Sequence, residues 1–392
     1  MKNIIITGGG FGNKGAEAMT YISVAELKKR FPQHTIYLYL PDHEAIPTEQ
    51  KKQYAFEFLG WNPIKFARAQ KNPLLNVLCA LKNRREFSAC NNVYKNTDLM
   101  VDISGYALGS NWSEKICSDY LDNIEFAYFY GIPVYLMPQS FGPFDFFYDA
   151  GKKIDMRAAN LLSTVKRICA REAEGYNYLV EHYRLNNVEL KPDLVLNNSS
   201  VDYQQVFRRM PEFNIPTIAP DSVCVIPNDK VYEFCRTNAQ DVYEAVISEL
   251  LSRGKMVYLM FHSTMDRDKC VSLKNKFQNE QNVIFLDQDY SCIEYNEIVK
   301  QFHYIVGSRF HSIVHALKNG IPCIALGWAV KYHDLLKEFG QETYYHDMRT
   351  FSDMSGILRS LMQMEERYKE EAIRIMQHIK DVQKENVFDV IG

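Results

Sequence analysis

Short apolar runs alternate with longer amphipathic stretches along the chain, and the alternation stops once and then starts again. NIIITG (3–8), TIYLYL (35–40), DLMVDIS (98–104), PVYLMPQS (133–140) and KRICARE (166–172) form the first series. Such short, bounded apolar runs suit parallel strands buried on both faces. Helical patterns between them, such as Ala16–Phe31, supply the crossovers that parallel pairing requires. A polar, proline-bearing stretch, NNSSVDYQQVFRRMPEFNIPTIAPDS (197–222), interrupts the rhythm. SVCVIPN (222–228), MVYLMFHS (256–263), NVIFLDQ (282–288), YIVGSR (304–309) and CIALGW (323–328) then resume it. The pattern predicts an α/β chain of two Rossmann-like lobes, residues 1–210 and 217–392. The stretch Met362–Val387 predicts one long charged helix, packed on one face and carried by the second lobe.

A chain of 392 residues is long enough for two cores that need neither disulfides nor metal. The formal net charge of −3 argues against a general nucleic-acid binder. Nine scattered cysteines without a C-x-x-C read as reduced core thiols of a cytoplasmic protein, not as a zinc site. IIIT is too short for the apolar region of a signal peptide, and no run approaches the ~20 residues of a membrane span. One segment departs from the rhythm: in 61–87, Lys65, Arg68, Lys71, Lys82, Arg84 and Arg85 surround five aliphatic side chains. It reads as a core helix with a solvated rim, or as a peripheral element on the inner face of a membrane. The sequence leaves the oligomeric state open.

Gly10-x-Gly12-x-x-Gly15 follows the first strand. A dinucleotide fingerprint also needs an acid at the end of the second strand, ~20 residues on. Asp42 lies well beyond that spacing, and the phosphate-loop pattern is absent because Lys14 precedes Gly15. The turn is therefore either a packing device or a ligand site, with Asn13 and Glu17 suited to sugar hydroxyls. The second series carries a sharper signal. Strand YIVG is followed by Ser308-Arg309-Phe310-His311 opening a helix, and Lys331 follows the next strand. Open α/β sheets bind ligands at this edge. A guanidinium, an ammonium and a helix N-terminus there make an anion site, with His311 able to move a proton. His315, one helical turn on, reads as a packing residue.

GFGNKGAEA, ALGSNW, PQSFGPF, ICARE and GSRFHSIVHALKNGIPCIAL, followed by Lys331, resemble the polysaccharide pyruvyl transferase family over roughly residues 1–340. The resemblance implies a GT-B-like fold, with two lobes facing across a cleft. It implies transfer of the enolpyruvyl group of phosphoenolpyruvate to a sugar of a cell-surface polysaccharide or its lipid-linked precursor, giving a pyruvate ketal and phosphate. Arg171, Arg309 and Lys331 are then expected to bind phosphoenolpyruvate. His311 is expected as the acid–base group, with Glu17 as a second proton acceptor. Asn13, Gly15, Asp102 and Gln139 are expected at the sugar, with turn and cap roles equally open for Asn13, Asp102 and Gln139. No cofactor or metal is implied. The family often has Gly-Asp-Glu where this chain has Gly15-Ala16-Glu17, so the role of that Asp is lost or passes to Glu17. Two other functions stay open: a GT-B glycosyltransferase using a nucleotide sugar, and a non-catalytic binder of a glycan precursor.

Overall fold

The computed structural model describes residues 2–60, 84–146 and 149–392, with the backbone alone for 84–87. The two readings of segment 61–87 fall outside the described residues and side chains.

The described residues form two parallel sheets. The first holds β1 (Asn3–Thr7), β2 (Thr35–Tyr39), β3 (Glu57–Leu59), β4 (Thr97–Asp102), β5 (Tyr106–Leu108), β6 (Val134–Phe141), β7 (Arg167–Ala170) and β8 (Val188–Leu190). Their order is β3-β2-β1-β4-β6-β7-β8, with β5 paired to β6. The second holds β9 (Ser222–Ile226), β10 (Met256–Leu259), β11 (Val283–Phe285), β12 (Tyr304–Gly307), β13 (Cys323–Gly327) and β14 (Tyr345–Asp347), in the order β11-β10-β9-β12-β13-β14. Both sheets thus have the doubly wound order, in which direction reverses beside the first strand. Their central strands are apolar on both faces because helices cover both. β1, β9, β12 and β13 are buried throughout, and Ile305 pairs between Cys224 and Cys323.

The helix after β1 runs Lys14–Arg30, two residues ahead of the expected start. Asn13 caps it, its side-chain oxygen accepting from the Ala16 N–H at 2.9 Å. Pro32 follows its end, where the preceding residue is driven out of helical backbone. Small and apolar residues surround this helix on nearly every side, so it is buried on nearly every side. It packs against helices Cys292–Val299 and Phe310–Lys318 of the second lobe, and the apolar core is continuous through it.

The C-terminal helix spans Ser355–Val382 and buries Ile357, Leu361, Met364, Ile375 and Ile379 along one face. Its tail departs from the expected assignment to the second lobe. Residues 383–391 turn back onto the first lobe, where Asn197 is the anchor. Its amide nitrogen donates to the carbonyls of Val382 and Glu385 at 2.7 Å each, and its oxygen accepts from the Val387 N–H at 3.0 Å. Asn386 donates to Glu26, and Asp389 pairs with Arg30. Among the described residues no helix is long and apolar enough to cross a membrane.

Candidate active site

The carboxyl ends of both sheets face one another. Arg171 follows β7, His311 sits in the first turn after β12, and Lys331 in the first turn after β13. Phe310 joins them: the Arg171 guanidinium lies 4.1 Å from its ring centre and the Lys331 ammonium 5.1 Å from it. A cavity of about 540 Å³ opens there, lined by Arg171, Glu172, Asp193, Phe310, Lys331 and Glu338 among others. A smaller chamber of about 110 Å³ shares Glu172 and Lys331 and adds Tyr106, Ser140 and Arg349. Another cavity of about 540 Å³, lined by Lys28, Lys29, Asn197 and Asn386, lies by the C-terminal tail and lacks these strand-end residues.

Lys331 has no carboxylate partner among the described residues. Aromatic rings surround it instead: Tyr106 at 4.6 Å, Phe310 at 5.1 Å, Trp328 at 5.6 Å and Tyr332 at 5.9 Å. Burial pushes its ammonium down to about 7, and the Arg171 cation adds to the effect. Arg171 is held rigidly. Its Nε donates to Ser140 at 3.0 Å and Glu172 at 2.9 Å, its Nη2 to Ser140 at 2.8 Å, and its Nη1 to Asp193 at 2.9 Å. Asp193 caps the short helix Leu194–Asn197 and stands 3.7 Å from His311 Nε2. Burial alone would raise the Asp193 carboxyl, but His311 and Arg171 hold it below the usual range.

His311 rests on the glycine turn. A Cβ on Gly15 would stand 2.2 Å from His311 Cγ, so only glycine lets the first helix approach this ring. Burial pushes the imidazole down to about 4. Asp193 opposes that shift, while Arg171 and Lys331 reinforce it. The ring is therefore neutral at neutral pH in the unliganded protein.

The remaining expected residues are placed differently. Arg309 turns away from this cavity and forms a two-pronged pair with Asp266, Nε to Oδ2 at 2.7 Å and Nη2 to Oδ1 at 2.6 Å. The Gly12–Glu17 stretch joins the lobes and does not line the cavity. The Lys14 N–H donates to the His262 carbonyl at 3.3 Å, Asn13 bridges to Ser263, and the Lys14 ammonium pairs with Asp289. Glu17 is buried, accepting from the Tyr21 hydroxyl and from the Cys292 N–H at 2.8 Å each. Burial raises its carboxyl to about 7, against Lys14 and both hydrogen bonds. Asp102 is buried at the end of β4 and accepts from Thr7, Ser104 and Gln139. Of the two open readings, these contacts fit the turn and cap roles of Asn13, Asp102 and Gln139.

Sequence reasoning missed Glu172, Asp193, Phe310 and Asp266. Phe310 sat unremarked inside the quoted motif. The Pro192-Asp193 pair before an apolar run was a legible cap signal. Asp266 offered none, because its partner lies 43 residues on.

Solved structures define the class. A UDP-GlcNAc 2-epimerase from Neisseria meningitidis bound to UDP-GlcNAc superposes with a TM-score of 0.58 at 11% identity, over 96% of this chain and 94% of that one. MnaA of S. aureus, solved with UDP, gives 0.58 at 9% identity over 100% and 94%. A UGT transferase from Siraitia grosvenorii in complex with UDP gives 0.54 at 12% identity over 100% and 98%. At these identities the likeness shows the fold, that of GT-B epimerases and glycosyltransferases. A comparison with curated proteins finds no match. Residues 13–329 match the family described as Polysaccharide pyruvyl transferase, and the chain belongs to that family.

Proposed function

We infer that the protein transfers the enolpyruvyl group of phosphoenolpyruvate to two hydroxyls of one sugar in a polysaccharide or its lipid-linked precursor, forming a pyruvate ketal. The observation that carries this reading is Lys331, a cation without a carboxylate partner among the described residues, beside Arg171 and His311 at the facing strand ends. A small anion is the ligand such a site favours. Lys331 meets the phosphate as a point charge, and the remaining Arg171 N–H groups meet the carboxylate. Arg309 helps indirectly: paired with Asp266, it fixes the start of the helix that carries His311.

The methylene carbon gains one proton, its π electrons forming the new C–H bond. The first sugar hydroxyl adds to the resulting cationic carbon and loses its proton. The second hydroxyl adds as the C–O bond to phosphate breaks, with the electron pair leaving on phosphate. Two hydroxyl protons are released, one replacing the proton given to carbon and one ending on phosphate. We assign this traffic to His311, which lies behind the lining residues Phe310, with ring centres 5.4 Å apart, and Asp193, 3.7 Å from its Nε2; an anionic donor near it raises its proton affinity. The neighbouring structures with bound UDP motivate the control reaction. Incubation with lipid-linked and nucleotide-linked sugars should release phosphate from phosphoenolpyruvate, with a matching mass gain on one acceptor, and Lys331→Met should abolish it. Release of UDP from a UDP-sugar, with phosphoenolpyruvate untouched, would establish a glycosyltransferase instead.

A further inference from the structure

The cavity and the smaller chamber at the facing strand ends meet at two side chains. Among the described residues, Glu172 and Lys331 alone line both. Lys331 offers an ammonium to an anion, so the other half of the junction is a carboxylate. Glu172 follows Arg171 directly and precedes the short helix Ala173–Asn177, but its side chain does not cap that helix. It turns inward instead and is 8% exposed. Its Oε1 accepts from the Ser140 hydroxyl at 2.6 Å and from Arg171 Nε at 2.9 Å. Its Oε2 has no hydrogen-bond partner among the described residues.

The other carboxylates nearby are committed or stand to one side. Asp193 accepts from Arg171 Nη1 through Oδ2 and from the Val195 N–H through Oδ1, at 2.9 Å each. Asp334 and Glu338 line the larger cavity but not the chamber, and they pair with His333 and His378. Glu174 lines the chamber but not the larger cavity. Charge favours Glu172 as well. The Arg171 guanidinium at its Oε1 compensates the carboxylate, so an anionic donor can approach it. A carboxylate beside a carbon that becomes cationic stabilises that carbon. It also takes the proton of the hydroxyl that attacks there, as in glycoside hydrolysis through an oxocarbenium-like transition state.

We propose that Glu172 is the base that takes the proton of the first sugar hydroxyl, and the acid that then gives it to phosphate. This rests on the phosphoenolpyruvate reading and divides its proton traffic between two groups, with His311 keeping the proton of the methylene carbon. As the first hydroxyl oxygen bonds to the cationic carbon, its proton passes to Glu172 Oε2. When the C–O bond to phosphate breaks, the electron pair leaves on the phosphate oxygen, and that oxygen takes the proton from Glu172. Both oxygens are bonded to the same carbon, so one carboxylate oxygen serves each in turn. The second hydroxyl's proton replaces the one given to carbon. Glu172 ends the turnover as the carboxylate it was at the start.

The test ranks three variants on an acceptor that the wild-type protein uses, with melting temperature as the folding control. Glu172→Gln is nearly equal in size, and its amide oxygen can accept from Ser140 and Arg171, but it takes no proton. Its kcat should fall by ~10²–10⁴-fold, with the KM for phosphoenolpyruvate near wild type. Glu172→Asp keeps a carboxylate on a shorter arm and should turn over about tenfold faster than Glu172→Gln. A residue that only holds Arg171 in place would give the opposite order, because glutamine preserves those hydrogen bonds better, and its loss would raise KM. Formate, a small carboxylate that fits the space left in Glu172→Ala, should raise the kcat of that variant and leave Glu172→Gln unchanged. Turnover by the glutamine variant equal to or above that of the aspartate variant overturns the proposal, and so does an alanine variant that formate leaves unchanged. If wild-type protein instead releases UDP from a UDP-sugar and leaves phosphoenolpyruvate untouched, the donor reading fails. An acceptor hydroxyl loses its proton in that reaction too, so the same ranking still decides Glu172. Wild-type protein that transfers nothing from either donor overturns both.

Discussion

Lys331 and His311 stand close together but do different work, and pH separates them. Lys331 titrates near 7 because burial and the Arg171 cation disfavour its charge. An anion stabilises the charged form, so anion affinity is high below that pH and is lost as pH rises through it. Sulfate, whose charge is constant in this range, should bind about tenfold more weakly at pH 8 than at pH 6. Lys331→Met should bind it weakly at both, and calorimetry reads the difference. A flat wild-type profile would mean that Lys331 is not the anion ligand. His311 is neutral when the cavity is empty and is charged only in passing. His311→Gln should therefore lower kcat by ~10²–10⁴-fold and change donor binding little. A glutamine variant that kept most of its kcat would demote His311 to a hydrogen-bond donor.

The glycine turn and the helix after it serve as the joint between the lobes, with Glu17 at its centre. A carboxyl raised to about 7 in the folded protein binds more protons than the unfolded chain across pH 5–7. Stability must then fall as pH rises through that window, by up to about 3 kcal/mol. Melting temperature should drop between pH 5 and pH 8 in wild-type protein and stay level in Glu17→Gln, whose amide can meet the same two partners. A wild-type curve as level as the variant's would remove the strain assigned to Glu17. This joint also marks the limit of what the sequence discloses. Strands such as β1, β9 and β13 were legible because sheets covered on both faces demand apolar runs, and the restart after residue 222 disclosed two sheets. The three-residue strands β3, β5, β8 and β14 were not, since they lie in no longer apolar run, whereas the equally short β11 was legible within NVIFLDQ. His311 and Lys331 were legible from their place after strands, and Arg171 from its motif. The turning of Arg309 onto Asp266, and of Gly15 onto His311, depends on contacts between distant segments that no local pattern encodes.

Among the described residues the lobes are tied by the glycine turn and its helix, by the packing of helix Leu194–Asn197 on helix Phe310–Lys318, and by the tail that crosses back to Asn197. Asn197→Ala leaves two carbonyls and an N–H without their partner and should cost about 2–4 kcal/mol in urea unfolding. A loss below about 0.5 kcal/mol would mean that the tail contributes nothing to holding the lobes. The ties keep Arg171 from one sheet within reach of Phe310, His311 and Lys331 from the other, and the cavity exists only between them. Ketal formation there makes a specific demand: the methylene carbon of the donor must gain a proton that originates on an exchangeable group. The most direct measurement is turnover of phosphoenolpyruvate labelled with ¹³C at the phosphate-bearing carbon, run in D2O with a sugar acceptor and followed by ¹³C NMR and mass spectrometry. The account predicts that the label becomes a ketal carbon bearing a methyl group with one deuterium. An acceptor that kept an intact enol ether methylene, or carried no label while phosphoenolpyruvate remained, would contradict it.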